Sequence, residues 1–195
     1  MTQSVKKTES IAQLSLPFFP GPAIRHIQEA PNPRLALGST LICAVFWSLL
    51  SWQLCASGHR PSGPALFEPH YCWQAAYLPL ILPLQWLLYS VLAQSFARRL
   101  GGAGEKKATS TALGIAFGLP LLLGFILPDG IAYFLGGFHA MAKVLPFTGP
   151  LTLLWILALS TRCLSVLHKI STPRALCASF FAFVIQAIPM GLFIR

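Results

Sequence analysis

Long apolar runs separated by short polar gaps dominate the chain. Residues 73–97 and 108–128, for example, include no Asp, Glu, Lys or Arg. A helix needs about 20 apolar residues to cross the hydrocarbon core of a bilayer, and five runs meet or nearly meet that length. No run shows the alternation of a membrane β-barrel strand, so the sequence predicts an all-α integral membrane protein with a bundle of five transmembrane helices. The predicted spans are 35–56, 75–97, 109–128, 146–167 and 175–194, which form a transmembrane domain over residues 35–195.

A sixth apolar piece, residues 130–142, lies between the third and fourth spans. It is too short to cross a bilayer, and Gly136 and Gly137 interrupt it. We therefore expect a short interfacial or re-entrant segment at this place.

Residues 1–34 are predicted to form a cytoplasmic N-terminal arm. Five prolines between Pro17 and Pro33 resist helix formation, and they interrupt the apolar stretch that a cleavable signal would need. We expect an extended arm, with Phe18, Phe19 and Ile24 in contact with lipid headgroups. A disordered arm is the alternative.

Charge is scarce and its placement is informative. Only 10% of the 195 residues are charged, against about 25% in an ordinary soluble domain, so polar groups could not cover a soluble surface. The net charge of +9 would suit nucleic acid. Because the basic residues are confined to gaps between apolar runs, we exclude nucleic acid and expect anionic lipid headgroups as partners.

The basic residues also predict the orientation of the bundle. Successive gaps hold four, one, four, one, three and one Lys or Arg. The positive-inside rule then places the N-terminus and the loop after the second span in the cytoplasm, and the C-terminus outside, with a bacterial inner membrane as the expected location. That loop carries four basic residues that we expect to contact lipid headgroups or a protein partner: Arg98, Arg99, Lys106 and Lys107.

The third predicted span is the candidate centre of the bundle. Gly114 and Gly118 form a GxxxG motif, and Gly124 lies near the same stripe. Small residues let membrane helices approach closely. Two interpretations follow, a contact with another membrane protein or a second copy of this chain, and packing within one chain.

The sequence offers little for catalysis. None of the five acidic residues lies inside a predicted span, and none of the common catalytic motifs occurs. We therefore expect no enzyme and no cofactor. Arg162, the one charge within a span, is expected to snorkel to the cytoplasmic interface. Pro79 and Pro83 are expected to kink the second span, which with Gln85 leaves a small transporter or channel component as an alternative.

The first outer loop suggests a metal-handling protein as a further alternative. Glu68, His70 and Cys72 alternate along the chain, so an extended strand would present them on one face. With His59 they would make four ligands suited to zinc or copper. Cys55 and Cys72 could instead form a disulfide in an oxidising compartment, or they could be two free thiols.

From about residue 75 to its end, the chain resembles the Yip (Ypt-interacting protein) family. The features that carry the resemblance are the basic glycine-rich ARRLGGAGEKKATSTALG, the proline-centred IAFGLPLLLGFILPD, and a penultimate span that leads through HKISTPRA into a last span. The resemblance implies five membrane helices and a cytoplasmic N-terminus. Eukaryotic members are associated with Rab GTPases, vesicle traffic and membrane shaping, although this sequence lacks the long tyrosine-bearing arm of many of them. The expected function is a membrane scaffold or accessory subunit.

Overall fold

The structure, a computed structural model, describes residues 10–60 and 70–193, with side chains described as far as Ile188. Within these ranges the chain is helical and has no strand, as predicted. Three stretches are long and apolar enough to cross a membrane, namely Pro33–Ala56, His70–Arg99 and Lys106–His168, and a shorter apolar helix follows at Thr172–Ile188. The helices are α1 (Pro20–Glu29), α2 (Pro33–Ala56), α3 (His70–Arg99), α4 (Lys106–Leu121), a π-helical turn (Leu122–Ile126), α5 (Leu127–His168) and α6 (Thr172–Phe193).

The third stretch reverses direction and forms a hairpin. A straight helix of its 63 residues would be about 95 Å long, roughly three times the thickness of a hydrocarbon core. The backbone leaves helical geometry at Gly136 and Gly137, where Gly137 has a φ of 68°. Beyond the break, Thr152 lies against Gly124, and His168 lies against Gly104. The reversal therefore falls inside the predicted interfacial segment, residues 130–142, which is helical on both sides of the two glycines.

Two glycines of α4 bring α2 close to it. A Cβ added at Gly114 would lie 2.5 Å from the Cβ of Ala36, and one added at Gly118 would lie 2.9 Å from Ser39. The Ser39 hydroxyl donates a hydrogen bond to the Gly114 carbonyl at 3.3 Å. Because these contacts advance along both helices in the same direction, α2 and α4 are parallel.

All three predicted packing glycines face helices of the same chain. Gly114 also contacts the Trp86 ring of α3, and a Cβ at Gly124 would lie 2.5 Å from the Thr152 hydroxyl of α5. In the structure, these three glycines therefore pack against helices of their own chain.

Small residues likewise join α3 and α6. Alanines at a spacing of three or four residues on both helices are buried together, which permits close approach of the two backbones. The Tyr89 hydroxyl and the Ser179 hydroxyl, 2.7 Å apart, share a hydrogen bond across this contact. The alanines are Ala93 and Ala97 on α3 and Ala175, Ala178 and Ala182 on α6.

The N-terminal arm differs from the prediction, since α1 is helical and packed. Pro20 and Pro22 lie in the first turn of α1, where the backbone N–H that proline lacks has no helical partner in any case. Ile24 and Ile27 are fully buried in one cluster with Ile115. The expected extended arm is therefore wrong, and so is the expected headgroup contact of Ile24, because the helix is amphipathic and buries its apolar face on α4 and α5. Phe18 and Phe19 are exposed.

Candidate functional site

One end of the bundle, which we call the hinge end, consists of the loop Leu100–Glu105, the turn 169–171 and the helix ends that flank them. The loop joins α3 to α4, and the turn joins α5 to α6. Six basic side chains of the hinge end are exposed, and they include the four that the sequence predicts to contact headgroups or a partner. They are Arg98, Arg99, Lys106, Lys107, Lys169 and Arg174.

Glycines end α3 and begin the loop. Gly101 has a φ of 92°, a left-handed conformation that favours glycine. The Gly101 N–H donates to the Arg98 carbonyl at 3.0 Å, and the Gly102 N–H donates to the Ala97 carbonyl at 2.9 Å. This pair of bonds is the Schellman arrangement that closes a helix C-terminus, so the chain turns sharply immediately after Arg99.

The imidazole of His168 fills the space beneath the loop. Its Nδ1 accepts a hydrogen bond from the Gly104 N–H at 3.1 Å, and its Nε2 lies 3.1 Å from the Thr109 hydroxyl. A Cβ at Gly102 or Gly104 would lie 2.7 Å from ring atoms. The backbone carbonyl of His168 also accepts from the Ala103 N–H at 3.3 Å. Gly102 and Gly104 therefore leave the space that the His168 ring occupies.

The hydrogen-bond partners assign the tautomer of His168. Because Nδ1 accepts from a backbone N–H, the proton of the neutral ring is on Nε2, which donates to the Thr109 hydroxyl. That hydroxyl in turn donates to the Glu105 carbonyl at 2.8 Å. Burial of the ring, and secondly the nearby Arg98 guanidinium, lower the pKa of His168, so the neutral form is the one that this arrangement holds.

The hinge end concentrates positive charge with little to offset it. Glu105 is the acidic residue of the loop, and it is exposed. The one ion pair among the described residues, His26 with Glu29 at 3.9 Å, lies on α1. Lys169 has a left-handed φ of 55°, which holds its backbone at the C-terminus of α5. The six basic side chains are thus exposed at the ends of hydrogen-bonded helices.

The opposite end of the bundle, which we call the disulfide end, is closed covalently. Cys55 at the end of α2 and Cys72 at the start of α3 form a disulfide, with their Cα atoms 5.1 Å apart. The His59 ring stacks on Phe138 with centroids 4.5 Å apart, and the Ser57 and Tyr133 hydroxyls lie 2.9 Å apart. The predicted interfacial segment therefore packs on the first loop.

The structure does not bring the predicted metal ligands together as a site among the described residues. Cys72 is in the disulfide and has no thiolate to offer a metal, while His70 is buried beside the Tyr71 ring. Among residues 10–60 and 70–188, no group of three or more His, Cys, Asp or Glu side chains could hold a metal ion. With Cys72 in the disulfide, the predicted four-ligand site is not formed as such. Glu68 lies outside the described residues, and a metal contact of Glu68 with His59 and His70 stays a prediction.

Sequence reasoning missed two buried titratable side chains. One is His168. The other is Asp129, one residue beyond the third predicted span, whose side chain is only 3% exposed. The Thr148 hydroxyl donates to the Asp129 carboxyl at 2.8 Å, but burial dominates and raises the pKa of Asp129 to about 6. The hydrogen-bond partners of His168 and Asp129 lie 64 and 19 residues away along the chain, so no local sequence motif predicts either contact.

Comparisons with known proteins give no relative of this chain. No family model matches it, and neither a curated protein nor a solved structure matches it.

Proposed function

We propose that this protein is a Yip-like membrane scaffold or accessory subunit of five crossings, whose hinge end contacts anionic lipid headgroups and a protein partner on the cytoplasmic side. The observation that supports this most is the clustering of six exposed basic side chains around a loop that the buried His168 ring holds in place.

Five crossings are favoured by the directions of the helices. The parallel pair α2 and α4 needs α3 to return between them, and the reversal at Gly136 and Gly137 divides the third apolar stretch into an outward and an inward crossing. The α6 helix then leaves the hinge end again. A disulfide at one end and clustered basic residues at the other fit an oxidising compartment outside and a cytoplasmic face rich in Lys and Arg.

The proposed activity is binding without covalent chemistry. A Lys or Arg near an anionic membrane surface contributes about 1 kcal/mol to attraction, and the six basic residues of the hinge end act together. The predicted result is a local excess of anionic lipid around the protein, together with a docking surface for an acidic partner.

Spin-labelled lipids in defined liposomes test the lipid contact. We compare the boundary preference for phosphatidylglycerol over phosphatidylcholine in wild type and in a variant with Gln at Arg98, Arg99, Lys106 and Lys107. The proposal predicts that the ratio of phosphatidylglycerol to phosphatidylcholine binding at the boundary exceeds one in wild type and falls towards one in the variant. The preference of wild type should also weaken in high salt. The matched control places Gln at Lys143, near the disulfide end, and should change nothing. An equal preference in wild type and the four-residue variant would contradict the proposed contact.

Purification in mild detergent from the native host tests the accessory role. Mass spectrometry of the retained proteins should find a stoichiometric partner with wild type and less of it with the four-residue Gln variant. A lone protein in both preparations would remove the accessory-subunit proposal and leave the lipid contact alone.

A small transporter is the second candidate, because the buried Asp129 lies three residues after the π-helical turn that ends at Ile126, and such turns often lie at functional sites. The buried Oε1 of Gln85 also has no hydrogen-bond partner among the described residues. Substrate-dependent flux into liposomes that contain only this protein, lost in Asp129→Asn, would favour transport over the scaffold.

A further inference from the structure

His168 holds the loop Leu100–Glu105 with a bond that only the neutral ring can make. The Gly104 N–H donates to Nδ1 at 3.1 Å, and a ring nitrogen accepts a hydrogen bond only while it carries no proton. In the imidazolium both nitrogens are donors, so protonation would set Nδ1–H against the Gly104 N–H and remove the bond. The bond from the Ala103 N–H to the His168 carbonyl would remain, but it is longer, at 3.3 Å.

The second nitrogen of the ring already carries the proton of the neutral form. Nε2–H donates to the Thr109 hydroxyl at 3.1 Å, and that hydroxyl donates to the Glu105 carbonyl at 2.8 Å. Nδ1 is therefore the nitrogen that takes up a proton from solution. Because Nδ1 is also the atom that binds the loop, protonation of His168 acts directly on the position of the loop.

The loop covers the ring closely. His168 is only 1% exposed, and a Cβ added at Gly102 or Gly104 would lie 2.7 Å from ring atoms. A buried charged group without its hydrogen-bond partners is costly, so the imidazolium is favoured only where water reaches it. Since Gly102 and Gly104 lie directly against the ring, movement of the loop away from α5 gives it access to water.

The groups around the ring do not favour a buried imidazolium. Burial, and secondly the Arg98 guanidinium, lower the pKa of His168. In the described part of the chain, the ring's hydrogen-bond partners are an N–H and a hydroxyl, and Glu105 takes part through its backbone carbonyl, with its side chain exposed. The other charged or histidine side chains carried near this end by the loop and by the helices packed around α5 are also exposed. They are Arg25, His26 and Glu29 on α1, Arg99 on α3, Lys106 and Lys107 on α4, Arg162 and Lys169 on α5 and its C-terminus, and Arg174 on α6.

We infer that His168 is a pH-sensitive latch of the hinge end, and that the loop Leu100–Glu105 separates from α5 when Nδ1 takes up a proton. With the hinge end on the cytoplasmic side, acidification of the cytoplasm opens the loop. The released ring adds a seventh positive charge to the six exposed basic side chains, which strengthens the attraction to anionic headgroups. This regulation of the lipid contact rests on the proposed function, whereas the opening of the loop does not depend on it.

Hydrogen exchange of the Gly104 amide, followed by NMR of the full chain in detergent micelles, tests the latch. The protection of an amide measures how often its hydrogen bond opens. A ring released into water has a pKa of about 6.5, so opening should become up to about tenfold more frequent for each pH unit below that value. After correction for the intrinsic rate of exchange, Gly104 protection should fall accordingly between pH 7 and pH 5. The Leu35 amide, which donates to the Asn32 carbonyl at the start of α2, is the control and should keep its protection.

Two variants separate titration of the ring from its packing. His168→Asn keeps an acceptor near the position of Nδ1 but cannot titrate, so Gly104 protection should not change with pH. Thr109→Val removes the hydroxyl partner but keeps the titrating ring, so the pH dependence should remain. Constant Gly104 protection in wild type, or an equal fall in wild type and His168→Asn, would overturn the latch.

The ¹⁵N chemical shifts of the His168 ring give a measurement that needs no variant. At pH 7 they should show an unprotonated Nδ1, and protonation on acidification should coincide with the loss of Gly104 protection. A proton on Nδ1 at pH 7, or a ring that becomes protonated while the Gly104 amide stays protected, would overturn the inference.

Spin-labelled lipids at pH 7 and pH 5.5 distinguish failure of the latch from failure of the proposed function. The boundary preference for phosphatidylglycerol over phosphatidylcholine should rise on acidification in wild type and rise less in His168→Asn, which retains the exposed His26. An equal rise in both proteins would overturn regulation through His168. Loss of Gly104 protection without a lipid preference at either pH would support the latch and contradict the proposed lipid contact.

Discussion

The imidazole of His168, at the end of α5, accepts a hydrogen bond from the backbone N–H of Gly104 at 3.1 Å. This contact ties the loop between α3 and α4 to the last turn of α5, across 64 residues of sequence. Because His168 is only 1% exposed, the contact anchors this exposed loop to the packed interior. The backbone between Arg99 and Lys106 is therefore tied to α5.

Gly104→Ala should destabilise the protein by about 1–3 kcal/mol, the usual cost of overpacking a filled site. The new Cβ would lie 2.7 Å from atoms of the His168 ring. Gly38→Ala is the matched control, because a Cβ at this helical position meets nothing within 4 Å, and it should be neutral or stabilising by up to about 1 kcal/mol. Thermal unfolding in detergent measures both, and a Gly104→Ala variant as stable as Gly38→Ala would contradict the described contact.

Acidification should loosen the hinge end through His168. Its folded-state pKa lies below the unfolded value of about 6.5, so the unfolded chain binds more protons below that pH, and stability falls as the pH falls. His168→Asn keeps a hydrogen-bond acceptor near the position of Nδ1 but cannot titrate. We expect unfolding temperatures of wild type to drop more than those of His168→Asn between pH 7 and pH 5. Parallel curves for the two proteins would show that this histidine has no part in the pH response.

Asp129 should give the opposite dependence. The pKa of Asp129 is raised from 3.8 to about 6 in the folded state. Its contribution to folding stability is therefore fully present below pH 3.8 and is lost as the pH rises through about 6. Asp129→Asn still accepts from Thr148, and it should raise stability at pH 8 while having no effect at pH 4. Glu105→Gln, an exposed acid, serves as the control. Because His168 and Asp129 oppose each other near pH 6, the histidine experiment is best repeated in the Asp129→Asn background.

The disulfide should make a large contribution to stability. It closes a loop with a sequence separation of 17 residues, for which chain entropy predicts about 3 kcal/mol. Cys55→Ser should therefore lower the unfolding temperature clearly, whereas Cys177→Ser, at an exposed free cysteine, should not. Equal unfolding temperatures for wild type and Cys55→Ser would show that the two cysteines are not bridged in the purified protein.

The length of the apolar runs and the scarcity of charge predicted the helical, membrane-type chain, because lipid requires long apolar helices. The break at Gly136 and Gly137 was also visible in the sequence, since two adjacent glycines weaken a helix. The helix α1 was missed because its prolines were counted without regard to position. Pro20 and Pro22 fall in its first turn, where proline is tolerated.

The contacts of the hinge end could not be predicted from the sequence. The basic residues near Gly102 and Gly104 were evident, but the reason for the glycines is the His168 ring, which only the tertiary fold brings to them. The glycines of α4 were recognised as packing positions, although the sequence left open whether the partner was this chain or another. In the structure, Gly114 and Gly118 face Ala36 and Ser39 of the same chain, and Gly124 of the π-helical turn faces Thr152.

The central claim, that the hinge end faces the cytoplasm, is tested most directly by thiol labelling from one side of the membrane. Ala103→Cys and His139→Cys, both at exposed positions, are made separately in a Cys177→Ser background that keeps the disulfide. Spheroplasts are then treated with a membrane-impermeant maleimide before and after the membrane is opened. The account predicts that the His139→Cys variant reacts in intact spheroplasts and that the Ala103→Cys variant reacts only after opening. Reaction of the Ala103→Cys variant in intact spheroplasts would contradict it.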